Sequence, residues 1–462
     1  MRKVGFVALT VAFLLFLSVL PVTSTTWQPH VNVTNDSQSQ YGVSLFVDSD
    51  GYAHIAWSNT STFIGIAGLT GYIFYSNNTG GSFGTPVLIP APVNGSWGAS
   101  LAVDALGNVH IAFFGGNVTG TGGGGTQTPF TDVYYSTTKG SVDGSFQTIK
   151  LTDYSAPGGT TSLYPDLALD SNGYAHIVWI EEVGDIRYGN NTDGAFGNEK
   201  ATNENGSPIF FNPSLALDNS DKPHVVCWAT DSHDFELFYT TKGAVGAAWL
   251  TPMNVTNDPT SATERIDDQY PDISIDDSEI IHIAWQRSFF TAPGSLVLSV
   301  PLIPMNTWTL DSSHIFYTNG TINGFPTKTQ VSSGGSIHIS PSLSLDSNDD
   351  AHIVWTNRTA WPYSVIYSNN TGGSFGTAED LSVAHGHHYG SSVFIDNETY
   401  IHVAFAGYAT ASGPLDVFYL KSGEPVTPVV SEFIGHLLPL LILASFATLI
   451  IGIRYAKKKT LN

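Results

Sequence analysis

The chain has 462 residues, 42% of them hydrophobic, with 46 Gly, 24 Pro and one cysteine, Cys227. This excludes an intrachain disulfide framework and a disordered acidic polymer, and it suits an all-β protein with tight turns. The net charge is −22, and six of the 17 basic residues lie at Arg2, Lys3 and within 454–459, so the middle carries an acidic surplus that repels nucleic acid.

Residues 1–24 read as a signal peptide. Met1-Arg2-Lys3 precedes an apolar run from Val4 to Leu20 and then the small-residue stretch Val22-Thr23-Ser24. The expected ectodomain spans 25–423. Its unit is clearest in Tyr164-Pro-Asp-Leu-Ala-Leu-Asp-Ser-Asn-Gly-Tyr-Ala-His-Ile-Val-Trp179. The Asp and His of this unit recur seven times, as Asp48/His54, Asp104/His110, Asp170/His176, Asp218/His224, Asp276/His282, Asp346/His352 and Asp396/His402. An aromatic or apolar slot follows three residues later, from Trp57 to Phe405.

Each unit predicts a hairpin. An apolar strand leads to the Asp, a turn such as Asp50-Gly51 or Asn172-Gly173 fits a two-residue connection, and a second strand starts at the His. A third strand ends near a Tyr such as Tyr75 or Tyr188, and a fourth follows a Gly-rich turn. Four antiparallel strands per unit predict a seven-bladed β-propeller. Trp27 to Asp36 repeats the pattern of Trp249 to Asp258, so the N-terminal segment is expected to supply the fourth strand of the last blade.

Beyond the ectodomain, 424–432 reads as a linker, 433–454 as a transmembrane helix and 455–462 as a basic cytoplasmic tail. The expected location is a single-pass cell-membrane protein with its propeller outside the cell. Thirteen Asn-x-Ser/Thr sequons, from Asn32 to Asn397, fit glycosylation.

The turns Ser76-Asn-Asn-Thr-Gly-Gly-Ser-Phe83 and Ser368-Asn-Asn-Thr-Gly-Gly-Ser-Phe375 resemble the Asp-box of sialidase-like (BNR repeat) propellers, with Asn78 and Asn370 at the Asp position. The resemblance covers about residues 27–422 and implies the propeller fold, with the box as a structural turn. Ser431-Glu-Phe433 is similar to the Pro-Glu-Phe motif of archaeosortase substrates, with Ser in place of Pro, which implies an archaeal-type surface anchor.

Seven identical Asp/His pairs argue for a fold requirement, since catalysis needs one asymmetric site. The Asp is expected to accept turn amides, and the His to satisfy buried backbone groups. No catalytic residue is assigned. A sialidase would need an arginine cluster, whereas 25–423 holds only Arg187, Arg265, Arg287 and Arg358. Arg287, Arg358 and Tyr389 are candidate binding residues on the loop face. His385, His387 and His388 are candidate zinc ligands, with His338 nearby. Glu264-Arg-Ile-Asp-Asp268, with Asp272, is an oxygen-rich loop that could hold calcium. The expected function is non-catalytic recognition, adhesion or scaffolding at the cell surface, through glycan or protein binding. The alternatives are a sialidase-like glycoside hydrolase and a purely structural envelope protein. The Gly-rich loop 117–129 and the insertion 288–313 are where partner contacts are expected.

Overall fold

A computed structural model describes residues 25–425 except 36, 61–70, 94, 117–130, 154–160, 182–183, 203–207, 232–233, 244–246, 259–263, 292–308, 335–336, 383–387 and 411–412. The expected signal peptide, membrane span and tail, the 117–129 loop and the centre of the 288–313 insertion lie outside the described residues. Among the described residues, no helix is long and apolar enough to cross a membrane.

The fold is all-β and propeller-like. Twenty-eight described strands form groups of four whose spatial order follows the chain, as in Ser162–Leu169, Ala175–Glu181, Asp185–Asn190 and Glu199–Lys200. Single parallel pairs, Gly71↔Gly95 and Phe235↔Asp267, merge four of these groups into two larger sheets. The last group takes its fourth strand from Val31–Asn32, with Val31 opposite Tyr419 and Asn32 opposite Phe418. The second strands are buried on both faces because each group packs between neighbours, so their sequences read as continuous apolar runs.

Contacts between groups repeat. The aromatic residue after each third strand meets the Tyr of the preceding group edge-on, with ring centres 5.0 to 5.7 Å apart. Phe83 of the first group meets Tyr419 of the last, and Val43, Leu45 and Trp57 share a core cluster with Ala404 and Val417. Trp27 fills the same role on Tyr367. In the box-like turns, the Oδ1 atoms of Asn78 and Asn370 accept the Ala53 and Ala351 amides at 2.7 and 2.6 Å, which ties each turn to its second strand.

The Asp hairpins differ from the two-residue expectation. The Asp170 amide donates to the Tyr174 carbonyl and the Gly173 amide to the Asp170 carbonyl, leaving a three-residue loop closed by Gly173 at φ 70°. The Asp side chain favours this longer form, because Asp170 Oδ1 takes the Asn172 and Tyr174 amides at 2.9 and 2.8 Å.

Candidate functional site

The repeated Asp and His residues form buried relays. In every group one Asp oxygen holds the loop amides, the other faces His Nε2 at 2.9 to 3.6 Å, and His Nδ1 meets the third-strand Tyr hydroxyl at 2.5 to 2.7 Å. The Asp side chains take turn amides as expected. The His side chains do not satisfy backbone groups, which corrects the sequence reading. His352 shows the actual arrangement: it is 0% exposed, its Nε2 lies 3.4 Å from Asp346 and its Nδ1 lies 2.7 Å from the Tyr367 hydroxyl. Both ring nitrogens are thus committed to side chains, because the backbone groups of its strand are already paired across the sheet. His110 and His402 are equally inaccessible at 0% exposed. Burial holds His110 down at about pKa 4, so its imidazole is neutral at pH 7. These groups are enclosed and identically arranged, so they join strands and offer no open site.

A second repeated set surrounds the axis. Each first strand carries a bulge, and the bulge residue is left-handed: Gly42, Gly98, Tyr164, Asn212, Tyr270, Ser340 or Gly390, with φ between 41° and 64°. Two residues on sits Ser44, Ser100, Asp166, Ser214, Asp272, Ser342 or Ser392. Each of these accepts a backbone amide of the next group at 2.7 to 3.4 Å, and Ser392 accepts the Leu45 amide of the first. The links therefore run from each group to the next and back to the first. They line a cavity of about 300 Å³. Burial raises the carboxyls of Asp166 and Asp272, the latter to about 6.

Tyr164 and Tyr270 are 47% and 41% exposed at the end of this channel where the inter-group loops lie. Aromatic rings flank them: Phe114 lies 5.4 Å from Tyr164, and Trp228 lies 6.4 Å from Tyr270 and 4.7 Å from Phe235. Burial and the Tyr270 phenol both raise the Tyr164 pKa.

The repeat is also broken at one charged cluster beside this mouth. Glu236, Asp258 and Asp268 offer oxygens that all lie within 4.8 Å of one another. Arg287 spans Asp258 and Asp268, donating through Nε and a terminal nitrogen to Asp268 at 2.8 and 2.7 Å, and Trp285 Nε1–H donates to Asp268 at 2.5 Å. Lys328 donates to Asp258 at 3.3 Å. Burial pushes Glu236 up to about 7, and burial pushes Asp268 to about 6 despite Arg287. A pair of carboxyls poised near neutrality could exchange protons, but Asp268 is fully enclosed and Glu236 is 2% exposed. A divalent ion among the three oxygens would compete with Arg287 for the same lone pairs.

This placement corrects several further sequence expectations. Arg287 is buried within the cluster and does not face a ligand. The supposed calcium loop is part of the strand Glu264–Ile275, where Arg265 grips Asp267 in a fork at 2.6 and 2.9 Å, Arg287 takes Asp268 and the Leu343 amide takes Asp272. His338 is unavailable to a metal, because Trp355 Nε1–H donates to its Nδ1 at 2.9 Å and its Nε2 is taken by the Gly334 carbonyl at 2.6 Å. Arg358 is exposed and lies over the Tyr363 ring at 4.8 Å. His388 and Tyr389 begin the strand His388–Ile395, and their side chains lie outside the described residues, as do His385 and His387.

Sequence reading missed the axial Ser/Asp set, although it stands four residues before every repeat Asp. Glu236 and Asp258 carried no such signal, since their proximity to Asp268 arises only when two groups pack together.

Geometry of this kind defines a propeller-like all-β protein. No family model and no curated protein matches the chain. Solved structures do share its fold. A protein of unknown function from Dyadobacter fermentans aligns over 87% of this chain and 99% of its own, at 11% identity and TM-score 0.51. A PL25 ulvan lyase aligns over 87% and 94%, at 11% identity and TM-score 0.54, and is also known bound to -[GlcA(1-4)Rha3S]-.

Proposed function

We propose that this chain is an exported, membrane-anchored, seven-bladed propeller, closed by its N-terminal strand, that recognises glycan without cleaving it. The seven axial hydrogen bonds and the strand Val31–Asn32 support the blade count and closure. The apolar runs at 4–20 and 433–453 support export and anchoring, with 25–423 outside the cell.

The exposed pair Tyr164 and Tyr270 carries the recognition reading. Flat aromatic faces at a concave mouth bury the apolar faces of sugar rings. The fold shared with polysaccharide lyases is compatible with a long carbohydrate ligand. Lack of catalysis rests on the enclosure of the asymmetric carboxyl cluster, whose Arg287 is already spent on Asp258 and Asp268. One observation favours an enzyme instead: Glu236 near pKa 7 beside Asp268 near 6 resembles an acid–base pair.

The test is a glycan-array screen of the full chain in detergent, with product assays on sialosides and polysaccharides. Binding without turnover is expected. Turnover that disappears in Glu236→Gln would overturn the non-catalytic reading.

A further inference from the structure

The described region has eleven lysines and arginines. Ten of them are ion-paired with Asp or Glu. Arg358 alone among them has no such pair, and it lies over Tyr363 on the second-to-third-strand connection of the sixth group. At the channel mouth, Arg265 is held by Asp267 and packs over Phe235 at 4.9 Å, while Arg287 is held by two carboxylates. An anionic sugar needs a donor fork free to close on a carboxylate or sulfate, and none is free there. The axial wall adds no cation either, since among the described residues its only ionisable side chains besides Tyr164 are the carboxyls of Asp166 and Asp272.

The mouth does offer aromatic surface. Its backbone shows that this surface is not required by the fold. Tyr164 and Tyr270 occupy left-handed bulge positions at φ 50° and 52°, where three other groups use glycine. A tyrosine there costs about 1–2 kcal/mol relative to glycine. Side chains held at such a cost, and left exposed, point to use at a surface.

We infer, building on the glycan reading above, that the channel mouth binds a neutral polysaccharide by stacking on Tyr164 and Tyr270, and that it rejects uronate-bearing and sulfated chains. The polymer lies across the mouth, with its ring faces on the two phenols and its hydroxyls over the polar axial wall. Affinity is set by aromatic burial, so it changes little with salt.

The experiment uses the full chain in detergent, in native affinity gels containing a neutral β-glucan, a neutral xylan, polygalacturonate or a sulfated polysaccharide. The substitutions are Tyr164→Gly and Tyr270→Gly, alone and together. Glycine suits these dihedral angles, so the variants stay folded, and their thermal midpoints check this. The expected result is retardation by a neutral polymer at both low and high salt, weakened at least tenfold in the double variant, with no retardation by the acidic polymers. Retardation by the acidic polymers that fades with salt or in Arg358→Ala overturns the neutral-ligand inference and leaves glycan binding standing. Neutral binding that survives the double variant overturns the assigned location. Failure to bind any glycan removes both this inference and the reading on which it rests.

Discussion

The indole of Trp27 meets the ring of Tyr367 edge-on at 5.3 Å, while its Nε1–H donates to Glu379 at 2.9 Å. Trp27 precedes the strand Val31–Asn32 of the last group, and both of its partners belong to the group before it. The N-terminal segment therefore joins two groups from outside their own stretch of sequence. Trp27→Ala should lower stability by about 2–3 kcal/mol, less than a fully buried Trp because the ring is partly exposed. Removal of residues 25–34 should cost more, since it also takes two donors from Asp416, which accepts from Asn32 and Thr34 at 3.0 Å. Urea unfolding followed by tryptophan fluorescence checks both. An unchanged midpoint in the deletion would mean that the segment does not complete the fold.

Asp272 gives a sharper test of the axial links. Five groups use Ser where it stands, and a hydroxyl can accept the next group's amide as well as a carboxylate can. Asp272→Ser should keep the link to Leu343 and remove a buried carboxyl that resists ionisation. Asp272→Ala should leave the Leu343 amide and the Ser214 hydroxyl without this partner, at about 1–3 kcal/mol. Folded Asp272 has its pKa raised to about 6 from 3.8, so its contribution to stability declines as pH rises through that window. At pH 8 the expected order of thermal midpoints is Ser at or above wild type, with Ala lowest.

Much of this architecture was legible because it repeats. Asp170 and His176 keep the six-residue spacing found in all seven copies, so a period in the sequence became a repeated contact in space. The partner of each imidazole was not legible, because Tyr367 reaches His352 only when the second and third strands pair. The equivalence of Trp27 and Trp249 survives as matching contacts with Tyr367 and Tyr188. The mouth was less legible for two reasons. Tyr164 and Tyr270 are exposed because of a bulge, and a bulge inverts the expected alternation of faces without a mark in composition. Arg287 looked free because its two partners come from a loop and a strand at separations of 29 and 19 residues.

Glu236 sits where other groups place Asp132, Asp185 and Asp416, each before a third-strand residue whose amide bonds a Thr hydroxyl. Lys150 and Lys200 neutralise two of those acids, whereas Glu236 has Asp258 and Asp268 as near neighbours. Its folded pKa of about 7 exceeds the ordinary 4.5, so stability is lost as pH rises between those values. Glu236→Gln should raise stability by about 1–2 kcal/mol at pH 8, discounted for residual solvent screening, and change little at pH 4.5. A midpoint at pH 8 that drops in Glu236→Gln would show instead that the carboxylate is a required partner of Arg287.

Acid sensitivity should come from the relays. Burial lowers the pKa of His54, His110, His176, His224, His282 and His402 below 6.5, with His110 at about 4. Below pH 6.5 the unfolded chain takes up protons that the folded chain refuses, so stability falls as pH falls. Asp166, Glu236, Asp267, Asp268 and Asp272 act in the opposite sense over part of this range, because burial makes their folded carboxyls hold protons that the unfolded chain releases. Among the described residues burial lowers eight imidazoles in all, His314 and His338 included, against seven raised carboxyls of which Asp349 and Asp350 are only half-buried, so the urea midpoint should decline from pH 6.5 to pH 4.5 with the carboxyls blunting the fall. Below that, Asp396, held at about 2 chiefly by its bond to His402 against the cost of burial, adds a further loss. His110→Gln, which binds no proton in either state, should flatten the decline by up to about 3 kcal/mol. Asp272→Ser should steepen it, since one opposing carboxyl is gone. A midpoint that holds or rises between pH 6.5 and 4.5 would mean that the relays accept protons while folded, and that the carboxyls at the axis and in the charged cluster govern the acid response.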